Sequence, residues 1–554
     1  MSPRPRVVVV GGGLNGLVAA TLLARAGLEV LVLERAERVG GSLATDELHP
    51  GFRAPATFAG LECFHPGLLA ELALERHGLR FLPPRGGTLQ LLPERQSLRL
   101  DADGDLDGAV SRHSVRDAAA LRSFEEERRR LAAALEPLLT APLPRWSPRV
   151  AERASDLLLA GRTWRGLQSA GLASALRLLP MNLRDVLDER FESAALRAAI
   201  AGPALAAAWM GPRSAGSMWN LLWQRPAWVP HLLAPPLAAA GGPGALVEAL
   251  AAAARAAGAV LRTGTPVERI LVRRGAARGV ILEKGDEIVA DRVVSALDPR
   301  RTLLDLLEPG TLDAEVAAEI AAIRGRGNAA IVRLALDRLP RFGVATPGGA
   351  TAGVAVTDGA LGGRVQVAAE LDDLERAYDA SKYGRVPERP YLEVVLPSVA
   401  DPSLAPPGAA VLHAWVQAVP YGAAAPAGGG AEGVRSTVER RVLALLEEHD
   451  PGIASSVLHA DVATPEDLER RFGIGQGCLH HVEPALDQQL WLRPLLGWQS
   501  HSTPIPGLYL AGPGTHPGGG PTGLPGRCAA RRVLAEVERP TPHRPGPRPG
   551  SSLG

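Results

Sequence analysis

Residues 7–34 leave little freedom in what the chain can fold into. Residues 7–10 are four consecutive valines, the pattern of a strand buried on both faces. Gly11, Gly13 and Gly16 follow in GxGxxG spacing and lead into a helical stretch, 17–26, that Gly27 ends. Residues 28–33 predict a second strand, closing on Glu34. Each position has a task in a dinucleotide-binding strand–helix–strand unit. Gly11 permits the tight turn, Gly13 lets backbone approach a pyrophosphate, and Gly16 lets helix and strand pack closely. The helix N-terminus, with Asn15 in its first turn, offers free N–H groups and a positive dipole end to phosphate. Glu34 stands where a carboxylate accepts ribose hydroxyls. In a chain with 62 glycines the spacing alone would say little; strand, helix, strand and terminal acid together point to a dinucleotide.

Beyond Glu34, the run through Arg35, Gly40, Gly41 and Ser42 resembles the ExxxxxGG extension of FAD-binding oxidoreductases related to amine oxidases and phytoene desaturases. Ser42 stands where amine oxidases usually carry Arg. A second glycine-rich segment, 507–526, reads as strand (508–511), loop, and helix (527–537), again a cluster of N–H groups suited to a diphosphate or a flavin edge. Its GTHPGG run from Gly514 is similar to that of the phytoene desaturase-like family, in particular desaturase-type carotenoid ketolases and the eukaryotic group called pyridine nucleotide-disulfide oxidoreductase domain-containing protein 2. His481, Asp487, Gln488, Arg493 and Pro494 match a further motif of those groups, and residues 401–408 another. Cys478, Pro484 and Ala485 depart from it. The resemblance implies FAD as cofactor, held by Gly11, Gly13, Asn15, Gly16, Glu34, Arg35, Gly41, Ser42, Gly512, Gly514, Thr515 and Gly523, with the Val267 backbone at the adenine.

The expected fold class is α/β: a Rossmann-type FAD domain assembled from discontinuous segments 1–62, 238–310 and 495–540, with an α+β substrate domain and a helical cap. Within the second segment, residues 241–246 open an Ala-rich helix and strands follow near 259–261, 268–272, 279–282 and 288–296. Residues 63–237 read as the largely helical cap, and the charge run at 117–139 as a solvated helix face. Residues 311–494 mix strands (329–336, 391–396, 410–416) with a helix near 433–449 and form the substrate domain. The Pro-rich tail, 541–554, reads as disordered.

Composition narrows the chemistry. A net charge of +1 gives no footprint for nucleic acid. Cys63, Cys478 and Cys528 form no closely spaced pair, which argues against a disulfide framework, a dithiol redox centre or a metal ribbon; no metal is expected. No apolar run suits a membrane span and the first strand begins at once, so a cytoplasmic protein is expected. Four of the nine tryptophans, Trp209, Trp219, Trp223 and Trp228, fall within twenty residues. They suggest either cap packing or the wall of an apolar substrate tunnel with peripheral membrane contact.

The preferred reading is a dehydrogenase or desaturase acting on an apolar, polyene-like substrate, with electrons passed to oxygen or a quinone, because no second nucleotide fingerprint is present. His516, His481 and Asp487, with Glu483 beside them, are the candidates for proton handling. The alternatives are a ketolase or redox-neutral isomerase using the same site, and a non-catalytic lipid-escort protein. Amine oxidation is disfavoured by Ser42 and by a chain with only two lysines, Lys284 and Lys382.

Overall fold

The structure, a computed structural model, describes residues 5–101, 110–111, 114–143, 150–344, 354–355, 361–425 and 429–538. The valine run forms the strand Arg6–Val10, central in a five-stranded parallel sheet. Its neighbours are Glu29–Leu33 and Arg292–Ser295, flanked by Val260–Arg262 and Leu508–Leu510. Val7 and Val9 face one layer of packing and Val8 and Val10 the other, so all four are removed from water. Each fully buried valine contributes about 1.5 kcal/mol or more to folding. On the Val7 side the sheet is covered by helices Leu14–Arg25 and Leu524–Val537. Helix Gly244–Ala256 packs beside Leu14–Arg25. Gly526 allows the Leu14–Arg25 and Leu524–Val537 helices to touch, since a Cβ there would collide with the Asn15 carbonyl.

A seven-stranded sheet forms the second body. Its strand order is Val457–Ala463, Ala329–Leu336, Ala410–Gln417, Leu392–Val395, Arg364–Val367, Gly87–Leu91 and Ser97–Asp101. All neighbours are antiparallel except Arg364–Val367 with Gly87–Leu91. One face is apolar, with Val365, Leu412, Val332 and their neighbours packed on helix Gly430–His449. The opposite face is polar and turns toward the cap helices Ala194–Ala204 and Ser217–Gln224.

Three expectations need correcting. The segment 63–237 is largely helical as expected but does not belong entirely to the cap, because 87–101 forms two strands of the large sheet. Their alternation (Ser97, Leu98, Arg99, Leu100, Asp101) is a strand period. The single strand expected over 288–296 is two strands, Glu287–Val289 and Arg292–Ser295, in different sheets. The charge run on helix Val115–Thr140 is not all solvated. Arg128 is fully buried, paired with Glu125 at 2.7 Å and donating to the carbonyls of Arg225 (2.7 Å) and Val229 (3.3 Å). It anchors the segment 225–229 to the cap. The Pro-rich tail lies outside the described residues. Among the described residues no helix is long and apolar enough to cross a membrane.

Candidate functional site

A cavity of about 490 Å³ opens at the C-terminal edge of the parallel sheet. The first turn is built as the glycine spacing requires. Gly11 adopts φ +98°, and a Cβ on Gly16 would collide with the Gly11 carbonyl. Gly13 precedes helix Leu14–Arg25 with no side-chain cap, so the first-turn N–H groups face the cavity. A Cβ on Gly13 would meet nothing within 4 Å, which leaves an open approach to backbone. The second glycine pair, Gly40 (φ +134°) and Gly41 (φ +55°), folds back against it, with Gly40 N–H donating to the Gly12 carbonyl at 3.0 Å.

The Glu34 carboxylate lines the cavity and braces the turn, accepting from Gly12 N–H at 2.7 Å and Ala36 N–H at 2.9 Å. Arg35 donates to the carbonyls of Arg470 (3.1 Å) and Arg471 (2.9 Å). Burial, with Arg301 nearby, holds its guanidinium below the ordinary arginine value. Arg35 and Arg301 bring positive charge to the cavity that the helix N-terminus faces, the electrostatics a diphosphate needs, while Arg38 is paired with Asp46 in the same wall. Asn15, Ser42 and Val267 also line the cavity, the last beside Thr265 and Pro266. The open Gly13 cradle and this cationic rim fit a flavin dinucleotide.

The C-terminal loop reaches the cavity through other residues than expected. Gly512, Gly514, Thr515 and Gly523 do not line it, and neither does Gly16. A Cβ at Gly512 would stand 2.6 Å from the Leu297 carbonyl, at Gly514 2.5 Å from the Pro299 ring, and at Gly523 2.8 Å from Leu68. Thr515 donates its hydroxyl to the Gly512 carbonyl at 2.8 Å. These positions serve close packing, and Pro513, Gly519, Gly520 and Pro521 present the surface.

The loop is held by Arg493, which is fully buried and has no carboxylate partner among the described residues. Its guanidinium donates to the carbonyls of Pro513 (2.7 Å), His480 (2.8 Å), Val482 (3.1 Å), Gln488 (3.2 Å) and Glu483 (3.4 Å). The Trp223 ring lies 5.5 Å from its centre. Burial lowers the Arg493 guanidinium to about 10.

Of the proton-handling candidates only His481 lines the cavity. It adopts φ +60°, its Nδ1 has no partner among the described residues, and burial together with Arg493 pushes it down to about 3, so the ring is neutral. His516 is corrected: it is fully buried outside the cavity wall, its Nε2 2.8 Å from the Leu138 carbonyl of the cap. That contact fixes the loop to helix Val115–Thr140. Asp487 is corrected as well, its side chain 64% exposed and paired with Arg324 at 2.6 Å. Glu483 is tied up by Arg326 at 2.6 Å.

The four tryptophans do not line the cavity, so their role as substrate wall is also corrected. Trp219 sits in the cap core; Trp223 donates to the Pro517 carbonyl at 2.9 Å and Trp228 to that of Cys63 at 3.1 Å. Trp209 packs its ring on the Arg326 guanidinium at 4.4 Å. Of the four, Trp223 ties the cap to the C-terminal loop. The apolar part of the cavity comes instead from Leu43, Phe58, Phe472, Ile474 and Leu479, with Trp415 edge-on to Phe58 at 5.4 Å. Of the glycines at 473–477, Gly473 lies in this wall, whereas Gly475 packs on Asp298 and Arg300 and Gly477 on the Pro465 carbonyl. The three cysteines are free and buried, and among the described residues no cluster could hold a metal ion.

Comparison with known proteins agrees with this geometry. The profile of the family described as "Flavin containing amine oxidoreductase" matches residues 14–423. The chain is 33% identical to the mouse protein "Pyridine nucleotide-disulfide oxidoreductase domain-containing protein 2" over 97% of this chain and 94% of that one. It is 28% identical to "Hydroxyneurosporene desaturase" from Cereibacter sphaeroides, over 96% and 98%. Among solved structures, an oxidoreductase from Methanosarcina mazei shares the fold at a TM-score of 0.59 and 18% identity, covering 96% of this chain and all of that one. Cyclohexylamine oxidase from Brevibacterium oxydans does so at 0.56 and 17%, covering 97% and 100%.

Proposed function

Because the chain belongs to the flavin-containing amine oxidoreductase family and takes FAD as its cofactor, we propose that it is a dehydrogenase of desaturase type acting on an elongated, largely apolar substrate. Bound FAD supplies a hydride acceptor. The observation that carries the reading is the apolar wall formed by Leu43, Phe58, Phe472, Ile474 and Leu479 beside the glycine loops, where a carbon chain would be stripped of water. Neither lysine lines the cavity, and the buried imidazole there, His481, is neutral.

In this reading the neutral His481 would take the substrate proton at its unpartnered Nδ1, the positive charge left on the substrate by hydride loss driving a transfer that burial otherwise opposes. Phe58 and Leu479 exclude water from the site. Oxygen or a quinone takes the electrons afterwards. The likeness to hydroxyneurosporene desaturase and to phytoene desaturases supports a polyene as the substrate class. The test is anaerobic: the FAD-loaded protein is mixed with phytoene, neurosporene and hydroxyneurosporene, and the flavin band near 450 nm is followed. Bleaching with a product two hydrogens lighter is the expected result. Retention of the band with every polyene, alongside bleaching by a primary amine, would replace the desaturase reading by amine oxidation.

A further inference from the structure

The apolar wall of the cavity ends on a helix that an arginine of the parallel-sheet body holds from outside. Helix Pro465–Phe472 belongs to the body built on the large sheet and runs into Gly473. Arg471, Phe472, Gly473 and Ile474 all line the cavity. Gly473 closes the helix at φ +68°, its N–H donating to the Glu469 carbonyl at 2.7 Å. The Arg470 and Arg471 carbonyls lie in the last turn, where the helix has no further N–H to offer them. Arg35 donates its Nη2 to both, at 3.1 and 2.9 Å, across 435 and 436 residues of chain.

The side chains of the helix tie it to its own body. Asp467 pairs with Arg435 at 2.7 Å, Glu469 accepts from the Tyr421 hydroxyl at 2.6 Å, and Arg471 pairs with Asp461 at 2.9 Å. Glu469 also accepts from Gln476 N–H at 2.8 Å, so the turn that follows moves with the helix. Arg301 stands at the same turn. A Cβ on Gly473 would lie 3.2 Å from Arg301 Nη1 and 3.5 Å from Arg35 Nη2, so two guanidiniums converge on bare backbone. Neither pairs with a carboxylate among the described residues, and Arg301 repels Arg35. The two differ in one respect: Arg35 Nη2 is committed to the helix carbonyls, whereas among the described residues no hydrogen bond holds the Arg301 guanidinium.

We propose that Arg35 is a positioning residue for the apolar wall: it grips the end of helix Pro465–Phe472 and so sets where Phe472 and Ile474 stand beside the bound dinucleotide, while Arg301 is left to the diphosphate. A guanidinium suits the task, because its fork bonds two neighbouring carbonyls and its charge meets the negative end of the helix. The wall is thereby referred to the residue that follows Glu34, and the gap between wall and cofactor is fixed from the cofactor's side. A carbon chain held in that gap loses its alignment when the wall shifts, and a misplacement of about 1 Å can cost about a hundredfold in rate. The assignment rests on the dehydrogenase reading for what fills the gap and adds the residue that sets its width.

The test compares full-length wild type with Arg35→Met, Arg35→Lys and Arg301→Met, by two readouts that need no substrate. FAD affinity is read by flavin fluorescence titration, and amide hydrogen exchange at saturating FAD by mass spectrometry over residues 468–477. Arg35→Met should speed exchange at Phe472 and Gly473 about tenfold, the worth of two exposed hydrogen bonds, with FAD affinity within about threefold of wild type. Arg35→Lys should restore part of the protection. Arg301→Met should do the reverse, weakening FAD about tenfold with exchange unchanged. Exchange in Arg35→Met at the wild-type rate overturns the assignment. So does a loss of FAD affinity in Arg35→Met equal to that in Arg301→Met, which would make Arg35 a phosphate ligand. Bleaching by phytoene, neurosporene and hydroxyneurosporene is scored separately: its absence in wild type refutes the dehydrogenase reading, while exchange and titration still report on Arg35. Where wild type bleaches, Arg35→Met should do so about tenfold more slowly at saturating polyene, and an unchanged rate counts against positioning.

Discussion

Arg493→Met is the sharpest test of how the site is assembled. The guanidinium donates three short bonds, to Pro513, His480 and Val482 (2.7, 2.8 and 3.1 Å). At about 1.5–3 kcal/mol for a charged donor these amount to roughly 6 kcal/mol. Against that stands the lost hydration of a buried cation. The fall from the ordinary arginine value to about 10 corresponds to about 3 kcal/mol, regained when the charge is removed. The net loss should therefore be about 3 kcal/mol, which for a chain of this size lowers the melting temperature by about 3 °C. Arg493→Lys keeps the charge but offers three donors without the planar fork, so it should also lose stability. The assay is thermal melting of the FAD-loaded protein with flavin fluorescence as a second probe. Because Arg493 joins Pro513 at the cavity to the segment bearing His481, both variants should release FAD before the chain unfolds. A Met variant that melts within 1 °C of wild type and keeps its flavin to the same temperature would refute the reasoning.

Gly13→Val should fold with an apo melting temperature close to wild type and lose FAD binding by at least a hundredfold, read by flavin titration, because its side chain enters the open cradle. Gly16→Val should give little soluble protein, since its Cβ meets the Gly11 carbonyl. His481→Gln should lower turnover at least tenfold with FAD retained, whereas His516→Gln should keep the turnover of the folded enzyme and lower its melting temperature, the Leu138 contact being lost. Acid should destabilise the protein early. Burial holds His413, His481 and His516 down to about 3 and His480 and His501 to about 4. The unfolded chain binds those protons near pH 6.5, so from there down to about pH 4 it holds more protons than the folded state. Stability then falls with pH by up to about 1.4 kcal/mol per pH unit for each histidine. Melting curves between pH 8 and 4.5 check the sign.

The dinucleotide turn was legible because its determinants are local: Gly11, Gly13 and Glu34 act within one strand–helix–strand unit. The C-terminal loop was legible as part of the site but not residue by residue. Spacing does not tell a glycine that admits a ligand, such as Gly519, from one that admits a neighbouring chain, such as Gly512 beside the Leu297 carbonyl. The tryptophan cluster was read by composition, yet its rings are spent on Arg326, Arg493 and loop carbonyls. The polar sheet face also has a local mark in the sequence. Arg364 to Val367 alternates polar and apolar, the mark of a strand with two unlike faces. What no local pattern supplies is that Gln90 meets Gln366 across hundreds of residues of chain.

The strand Leu508–Leu510 and the Pro513–Pro521 loop also decide when the protein becomes competent during synthesis. The sheet edge and part of the cavity wall are both missing until residues 508–521 have left the ribosome. At about 5–20 residues per second, the finished turn at Gly11–Gly16 waits roughly half a minute to two minutes for its closing elements. Once made, Val293 and Val294 pair with the Arg6–Val10 strand on one side and wait roughly 10–45 s for Leu508–Leu510 on the other. Slow or interrupted translation of the final segment would thus yield a chain unable to enclose its flavin, open to aggregation and in need of a chaperone.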